Sequence, residues 1–274
     1  MYPILSKQKL SNHVEEITVR APYVARRCEP GQFIILRVDD EGERIPFTIA
    51  ECDAEQGTVS IIYQVVGYTT RKLSEKKAGD TISDFVGPLG KPAELHHHER
   101  VVGVGGGVGA APLYPQLKKL SEMGVEVDLI LGARNKDLVI LEDKFRTFCK
   151  NIYITTDDGS YGMKGLVTDK LKELIEKGVK YDEVIAIGPL VMMKFVSLLT
   201  KQYGIKTSVS LNPVMIDGTG MCGGCRVTVG GETKFVCVDG PDFDGHRVDY
   251  DELMRRQGMY KTEESHACRI GLRH

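Results

Sequence analysis

Three of the chain's seven cysteines fall within sixteen residues, in the glycine-dense run Asp217-Gly218-Thr219-Gly220-Met221-Cys222-Gly223-Gly224-Cys225 and at Cys237. Written as ligand spacing, the stretch is D-x4-C-x2-C-x11-C. With Cys in place of the leading Asp, it comes close to the C-x4-C-x2-C…C spacing of plant-type [2Fe–2S] sites. Glycine suits such a loop: the backbone must curl tightly and aim N–H groups at sulfur, and glycine takes positive φ without steric cost. Asp217 is the departure, since a carboxylate is a harder ligand than a thiolate. Zinc accepts three thiolates and a carboxylate in a tetrahedral site, and three cysteines with no shared role are the other alternative. Spacing and glycine density favour iron–sulfur, with Asp217, Cys222, Cys225 and Cys237 as the metal ligands.

A chain of 274 residues has room for two domains, or one and an appendage. Its 42% hydrophobic and 27% charged content is that of an ordinary globular protein with a sizeable core. A net charge of −2 with no basic cluster gives no case for nucleic acid. No apolar run reaches a membrane span, and Met1-Tyr2-Pro3-Ile4-Leu5-Ser6-Lys7 lacks the layout of a signal peptide. The expectation is a cytoplasmic protein with reduced thiols, whose clustered cysteines serve a metal rather than disulfides. Cys28, Cys52, Cys149 and Cys268 are scattered and read as structural or incidental.

The elements that must position the loop divide by period. Over the first hundred residues, short apolar or alternating runs recur at Val14–Val19, Gln32–Val38, Pro46–Glu51, Thr58–Val66 and Asp80–Phe85, separated by turns such as Glu29-Pro30-Gly31. This spacing predicts a small antiparallel barrel, interrupted by a helix over Thr69–Lys77. Gly67-Tyr68-Thr69-Thr70 opens that helix, and a helix start with hydroxyls and a glycine suits a pyrophosphate, although a capped helix without ligand reads the same way. His96-His97-His98 is expected to be an exposed link, since neighbours on an extended chain face opposite sides.

From Arg100 the period becomes that of βα units. The strand Val101–Val104 runs into Gly105-Gly106-Gly107-Val108-Gly109-Ala110-Ala111-Pro112 and a helix over Leu113–Met123, the arrangement by which backbone N–H groups meet a phosphate. It is not the standard G-x-G-x-x-G, and the next strand, Val127–Leu131, leads to Gly132-Ala133-Arg134 rather than to an acidic residue. Helices over Leu141–Cys149, Leu166–Lys177 and Val191–Tyr203 alternate with strands at Ile152–Thr155, Glu183–Ile187 and Thr207–Leu211. Such alternation predicts a parallel sheet with a nucleotide at its strand C-termini, near Gly105–Gly109, Arg134, Asp157 and Gly188. Met192-Met193 reads as core.

Taken together, the chain resembles the ferredoxin–NADP⁺ reductase superfamily over its whole length, in the turn Gly105–Pro112, in Gly87-Pro88-Leu89-Gly90 and in the cysteine loop. Within it, the chain is similar to the electron-transfer subunits that accompany dihydroorotate dehydrogenase. With Asp217, Met221–Arg226 and Cys237-Val238-Asp239-Gly240-Pro241, it is closer still to the small subunits of NADH-dependent reduced ferredoxin:NADP⁺ oxidoreductases, also called sulfide dehydrogenase subunits. The resemblance implies an FAD-binding β-barrel over 1–98, a ferredoxin reductase-like α/β parallel-sheet NAD(P) domain over 99–211 and a small [2Fe–2S] subdomain over 212–274. It places FAD against Pro46, Phe47 and Thr48, then Tyr63, Gln64 and Val65, with its pyrophosphate near Gly67, Thr69 and Thr70. The superfamily's flavin motif has Arg two residues before the aromatic; here that slot is Ile45, and Arg44 lies one residue earlier, on the opposite face of a strand.

The expected chemistry is hydride exchange between a nicotinamide and FAD, then single electrons to the cluster. The protein supplies positioning and electrostatics, so no acid or base is named. On NAD(H) against NADP(H) the residues pull in opposite directions, since Arg134 would pair a 2′-phosphate and Asp157-Asp158 would repel one; the preference for NAD(H) is chiefly what the resemblance implies. The resemblance also implies a heterodimer with a larger flavin and iron–sulfur subunit, and electron bifurcation involving ferredoxin through it. The stretch Phe243–Tyr260 either docks that partner or covers the cluster. The rival readings are an electron-transfer subunit of dihydroorotate dehydrogenase, a sulfide dehydrogenase subunit, and a non-redox zinc-stabilised binding module.

Overall fold

The computed structural model describes residues 1–259, which form two compact units: 1–91 with 212–241 and 249–259, and 92–211 with 242–248. Cys268 and Tyr260 lie outside the described residues. No helix among the described residues is long and apolar enough to cross a membrane.

The first unit opens with β1 (Tyr2–Lys9), β2 (Val14–Arg20), α1 (Pro22–Ala25), β3 (Phe33–Arg37), β4 (Arg44–Asp53), β5 (Thr58–Gln64), α2 (Tyr68–Glu75), β6 (Thr81–Ile82) and β7 (Asp84–Leu89). The strands make one antiparallel sheet in the order β6-β1-β2-β5-β4-β3-β7. Its two outer strands are consecutive in the chain, and Ser83 between them donates its N–H to the Val38 carbonyl at 3.4 Å. The sheet thereby nearly closes into the expected antiparallel barrel. The strand expected over Asp80–Phe85 is two strands broken at Ser83, because its halves serve opposite ends of the sheet. Period-2 alternation turns Ile17, Val19, Ile34, Leu36 and Ile61 into the interior, where each buried side chain contributes about 1.5–3 kcal/mol.

The second unit contains β8 (Arg100–Gly106), α3 (Ala110–Glu122), β9 (Glu126–Ala133), α4 (Glu142–Arg146), β10 (Asn151–Thr156), β11 (Met163–Lys164), α5 (Val167–Glu176), β12 (Glu183–Ile187), α6 (Leu190–Gln202) and β13 (Lys206–Ser210). The strands pair in parallel in the order β11-β10-β9-β8-β12-β13, and Asp242–Asp244 adds an antiparallel edge to β13. Strand order reverses between β8 and β12, which makes their C-terminal ends the topological switch point where such sheets bind ligands. His96 and His97 are exposed, but His98 is not free, since its Nε2 lies 3.0 Å from Glu183 Oε2.

The residues that return to the first unit form the cysteine loop, the hairpin β14 (Arg226–Val229) and β15 (Glu232–Phe235), the short α7 (Val236–Asp239) and α8 (Tyr250–Gln257). Asp249 caps α8 by accepting the Glu252 N–H at 2.9 Å.

Candidate functional site

The cysteine loop is wound by glycines at positive φ: Gly218 (77°), Gly220 (84°) and Gly223 (66°). Its four candidate ligands come as two pairs. Asp217 Oδ1 accepts the Thr219 N–H at 2.9 Å and Oδ2 the Cys222 N–H at 2.8 Å. These bonds hold the carboxyl below the usual carboxylate range. Cys225 and Cys237, each 1% exposed, face one another with sulfurs 3.2 Å apart. Burial, then the neighbouring Cys225, pushes the Cys237 thiol up to about 12. Among the described residues, no three His, Cys, Asp or Glu side chains converge on one point.

The donor set fits a two-iron cluster, which takes two protein ligands per iron. The paired thiols lie slightly closer than the ~3.8 Å expected for two tetrahedral thiolates at a metal–sulfur distance of ~2.3 Å. Backbone N–H groups already meet sulfur, Gly224 to Cys222 at 3.4 Å and Cys237 to Cys225 at 3.5 Å. Three arginines that the spacing could not reveal grip the loop from outside. Arg44 Nε donates to the Ile216 carbonyl (3.1 Å), Arg226 Nη1 to Gly223 (3.4 Å) and Arg256 Nη2 to Gly224 (3.1 Å).

The barrel strand β4 carries Pro46, Phe47 and Thr48. From Arg44 to Thr48 it pairs continuously with β3, with no bulge, so Arg44, Pro46 and Thr48 share one face and Ile45 and Phe47 the other. Arg44 therefore points to the cysteine loop, and no register shift returns it to the flavin-motif slot. Phe47 packs on the barrel core, its ring 5.7 Å from that of Tyr63. Tyr63 is itself core: its hydroxyl donates to Glu15 Oε2 at 2.7 Å, and burial raises its pKa. Gln64 and Val65 follow, with Val65 also on the core. At the head of α2, Thr70 Oγ1 accepts the N–H groups of Val66 and Gly67, both at 3.0 Å, and Thr69 is buried.

In the second unit, the four predicted loops leave adjacent strands at one edge of the sheet: Gly105–Gly109 after β8, Arg134 after β9, Thr156–Gly159 after β10 and Gly188 after β12. Glycine is required there by close approach. A Cβ on Gly109 would lie 2.2 Å from the Ile187 carbonyl oxygen, and one on Gly188 3.0 Å from the Gly106 backbone. Gly107 has φ 55° and open space on its Cβ side, and with Val108 it forms the single turn that leads into α3. Gly105 lets β8 pack against Leu131 and Leu113. Arg134 and Asp157 are exposed, and Asp157 donates its N–H to the Ala133 carbonyl at 3.1 Å. The expectation for the methionine pair holds only for Met193, which is fully buried. Met192 is half-buried and covers the glycine crossing: Cβ atoms on Gly106 and Gly188 would lie 2.6 Å from its Sδ and 2.8 Å from its Cε.

Comparison with known proteins agrees with this geometry. Residues 212–249 match the iron–sulfur cluster binding domain of dihydroorotate dehydrogenase B, and 104–198 the oxidoreductase NAD-binding domain. The chain is 48% identical to a dihydroorotate dehydrogenase B (NAD(+)) electron transfer subunit homolog of Thermotoga maritima, over 95% of this chain and 92% of that one. It is 37% identical to the dihydroorotate dehydrogenase B (NAD(+)) electron transfer subunit of Geobacillus thermodenitrificans, over 89% and 96%. A solved structure of an NADH-dependent reduced ferredoxin–NADP oxidoreductase, studied for flavin-based electron bifurcation, superimposes with a TM-score of 0.94 at 46% identity, covering 99% of this chain and 98% of that one. The chain is an oxidoreductase subunit of the electron-transfer kind, and it belongs to the family of dihydroorotate dehydrogenase B electron-transfer subunits and their homologues.

Proposed function

We propose that this chain passes electrons between NAD(H), an FAD held on the barrel and a [2Fe–2S] cluster held by Asp217, Cys222, Cys225 and Cys237. It delivers them to a larger flavin and iron–sulfur subunit, as the small subunit of an electron-bifurcating NADH-dependent ferredoxin:NADP⁺ oxidoreductase. One observation carries this reading. Arg44, two residues before Pro46 on the flavin strand, holds the carbonyl of Ile216, the residue before Asp217. The strand that would seat the flavin and the loop that would seat the cluster thus touch within one unit, which suits short-range electron transfer.

FAD, when bound, supplies the exchange of a two-electron hydride for single electrons, and the cluster carries those one at a time. In this reading Pro46, Phe47, Thr48 and the Tyr63–Val65 backbone seat the flavin, and Gly67, Thr69 and Thr70 present the α2 start to its pyrophosphate. The Gly105–Gly109 turn and Gly188 admit the pyrophosphate of NAD(H), flanked by Arg134 and Asp157. Loop N–H groups and the three arginines stabilise charge on the cluster sulfurs. The functional segments are 1–98, 99–211 and 212–274, and ferredoxin is reached through the partner. A cytoplasmic setting follows in this reading from cysteines clustered for a metal rather than for disulfides.

The test is the visible spectrum and iron content of the anaerobically purified chain, with NADH and NADPH added in turn. Flavin and iron–sulfur bands bleached faster by NADH are expected. Faster bleaching by NADPH would reverse the nucleotide choice, and a colourless zinc protein would end the redox reading. The second reading, a dihydroorotate dehydrogenase subunit, is favoured by the match of 212–249. Asp217 in the first ligand position weighs against it, and co-purification of a dihydroorotate-oxidising partner would establish it.

A further inference from the structure

Two charged residues stand where the barrel alternation calls for apolar ones. Lys7 on β1 is paired across the sheet with Ile17 of β2, a core residue, so its side chain starts on the inner face. Glu15 lies two residues before Ile17 on β2, shares that face and is buried. The charges meet there. Lys7 Nζ is 3.0 Å from Glu15 Oε2, the same oxygen that accepts the Tyr63 hydroxyl at 2.7 Å. Tyr63 packs its ring against Phe47 on β4. In the other direction the Lys7 ammonium donates to the Ser74 carbonyl, and to the Lys76 carbonyl at 3.1 Å, at the C-terminal end of α2. One buried path therefore runs from the last turn of α2 through Lys7, Glu15 and Tyr63 to Phe47.

We propose that Lys7 and Glu15 are positioning residues for FAD. They fix α2, whose start faces the pyrophosphate, against the strand that seats the isoalloxazine, so that the two half-sites stand at the separation one FAD molecule needs. The inference rests on the flavin reading above and adds to it the residues that join its halves. Neither residue touches the cofactor; each acts through α2 or through Tyr63.

Burial and hydrogen bonding favour position over stability. Desolvating two charges offsets most of their attraction, so a buried ion pair adds little to stability that apolar side chains could not supply. What it adds is direction. An ammonium has three donors, and those of Lys7 have three acceptors here: the Ser74 and Lys76 carbonyls and Glu15 Oε2. The positive charge also suits the negative end of the helix. With eight residues, α2 is too short to hold its form or place unaided and takes both from its surroundings. Leu73 buries one face of it in the barrel core, and the Lys7 bonds set its far end. Half-sites held at the working separation bind a joined ligand far more tightly than either half alone.

Full-length protein stripped of flavin is titrated with FAD and, separately, with riboflavin, which carries no pyrophosphate and reports the flavin strand alone. Lys7→Met by itself leaves Glu15 as an unpaired buried charge, so the informative variant is Lys7→Met/Glu15→Gln. It removes both charges, and the Gln amide oxygen still accepts the Tyr63 hydroxyl. This variant should lose at least about tenfold in FAD affinity, with riboflavin affinity within about twofold of the wild type. Adding Tyr63→Phe should cost FAD less than about twofold more, because the path is already cut. Equal losses for FAD and riboflavin would mean that the pair merely holds the barrel together. Unchanged FAD affinity would mean that α2 is placed without it. Either result overturns the proposal and leaves the flavin reading standing, whereas a wild-type chain that binds neither ligand removes the flavin reading and this inference with it.

Discussion

Gly109 and Gly107 sit two residues apart in one turn, yet they are glycines for different reasons. A Cβ added at Gly109 would press on main-chain atoms, 2.2 Å from the Ile187 oxygen and 2.7 Å from its carbon, so strand β12 itself must move. Gly109→Ala is expected to cost about 1–3 kcal/mol in urea unfolding and to weaken NADH binding at least tenfold. Gly107→Ala meets open space and bears only the left-handed penalty of about 1–2 kcal/mol, with the crossing of the two loops intact. Equal NADH affinities in the two variants would refute the distinction. Asp242 gives a second residue-scale prediction. Burial pushes its carboxyl up to about 6, partly offset by hydrogen bonds from Ser210 and from Gln116, whose Nε2 lies 3.0 Å from Oδ2. Oδ1 is buried without a partner. Because the unfolded value is near ~3.9, the folded chain binds this proton more tightly. Its contribution is therefore favourable at acid pH and is lost as pH rises from about 4 through 6, leaving a cost of about 2–3 kcal/mol for the buried charge. Asp242→Asn should be the more stable form at pH 8, with the gap closing toward pH 5; a pH-independent difference would remove the assignment.

Among the elements, the start of α2 rests on one side chain. Thr70 satisfies the N–H groups of Val66 and Gly67 and donates to the Gly67 carbonyl at 3.1 Å, fixing the helix start that faces the proposed pyrophosphate. Thr70→Ala is expected to cost about 1 kcal/mol and to release flavin on dialysis, while Thr70→Ser keeps the hydroxyl and retains it. Retention by both variants would detach the cap from flavin binding. Elements of this kind were legible because their signals are local. The short apolar or alternating runs of β2 and β5, the glycine turn before α3 and the ligand spacing of the cysteine loop each lie within a few residues. Strand β1 was not legible: Tyr2–Lys9 contains a proline and is mostly solvent-facing, so its pairing with β2 and β6 comes from tertiary context. The hairpin of β14 and β15 has only four residues on each arm, but its signal is local too: Gly230 and Gly231, at φ 62° and 83°, make the two-residue turn between them. Arg256 reaches Gly224 across thirty-two residues, and Met192 reaches Gly106 across the sheet. No spacing rule encodes contacts at that separation. The face occupied by Arg44 needed the register of β4, which only the pairing with β3 supplies.

For the whole chain, the decisive fact is which unit builds the cysteine loop. After Leu211 the chain leaves the nucleotide unit, and residues 212–241 group with the barrel. A Cβ on Gly218 would lie 2.7 Å from Ile35 Cδ1 and 2.8 Å from Leu89 Cδ1, so the loop is pressed onto β3 and β7. Ile35 pairs directly with Pro46 of the proposed flavin strand. Lys91 donates its N–H to the Gly240 carbonyl at 2.7 Å, closing the other end of the loop on the barrel exit. A fault in this seam should therefore be felt by cluster and barrel but not by the nucleotide turn. Gly218→Ala combines a positive φ with a clash against two packed side chains, at an expected cost of about 2–4 kcal/mol to the first unit. It should lose the iron–sulfur bands and lower flavin retention, while NADH binding, followed by calorimetry, stays within about twofold of the wild type. Loss of NADH affinity in parallel with the bands would mean that the two units act as one, and the assignment of the loop to the barrel alone would fail.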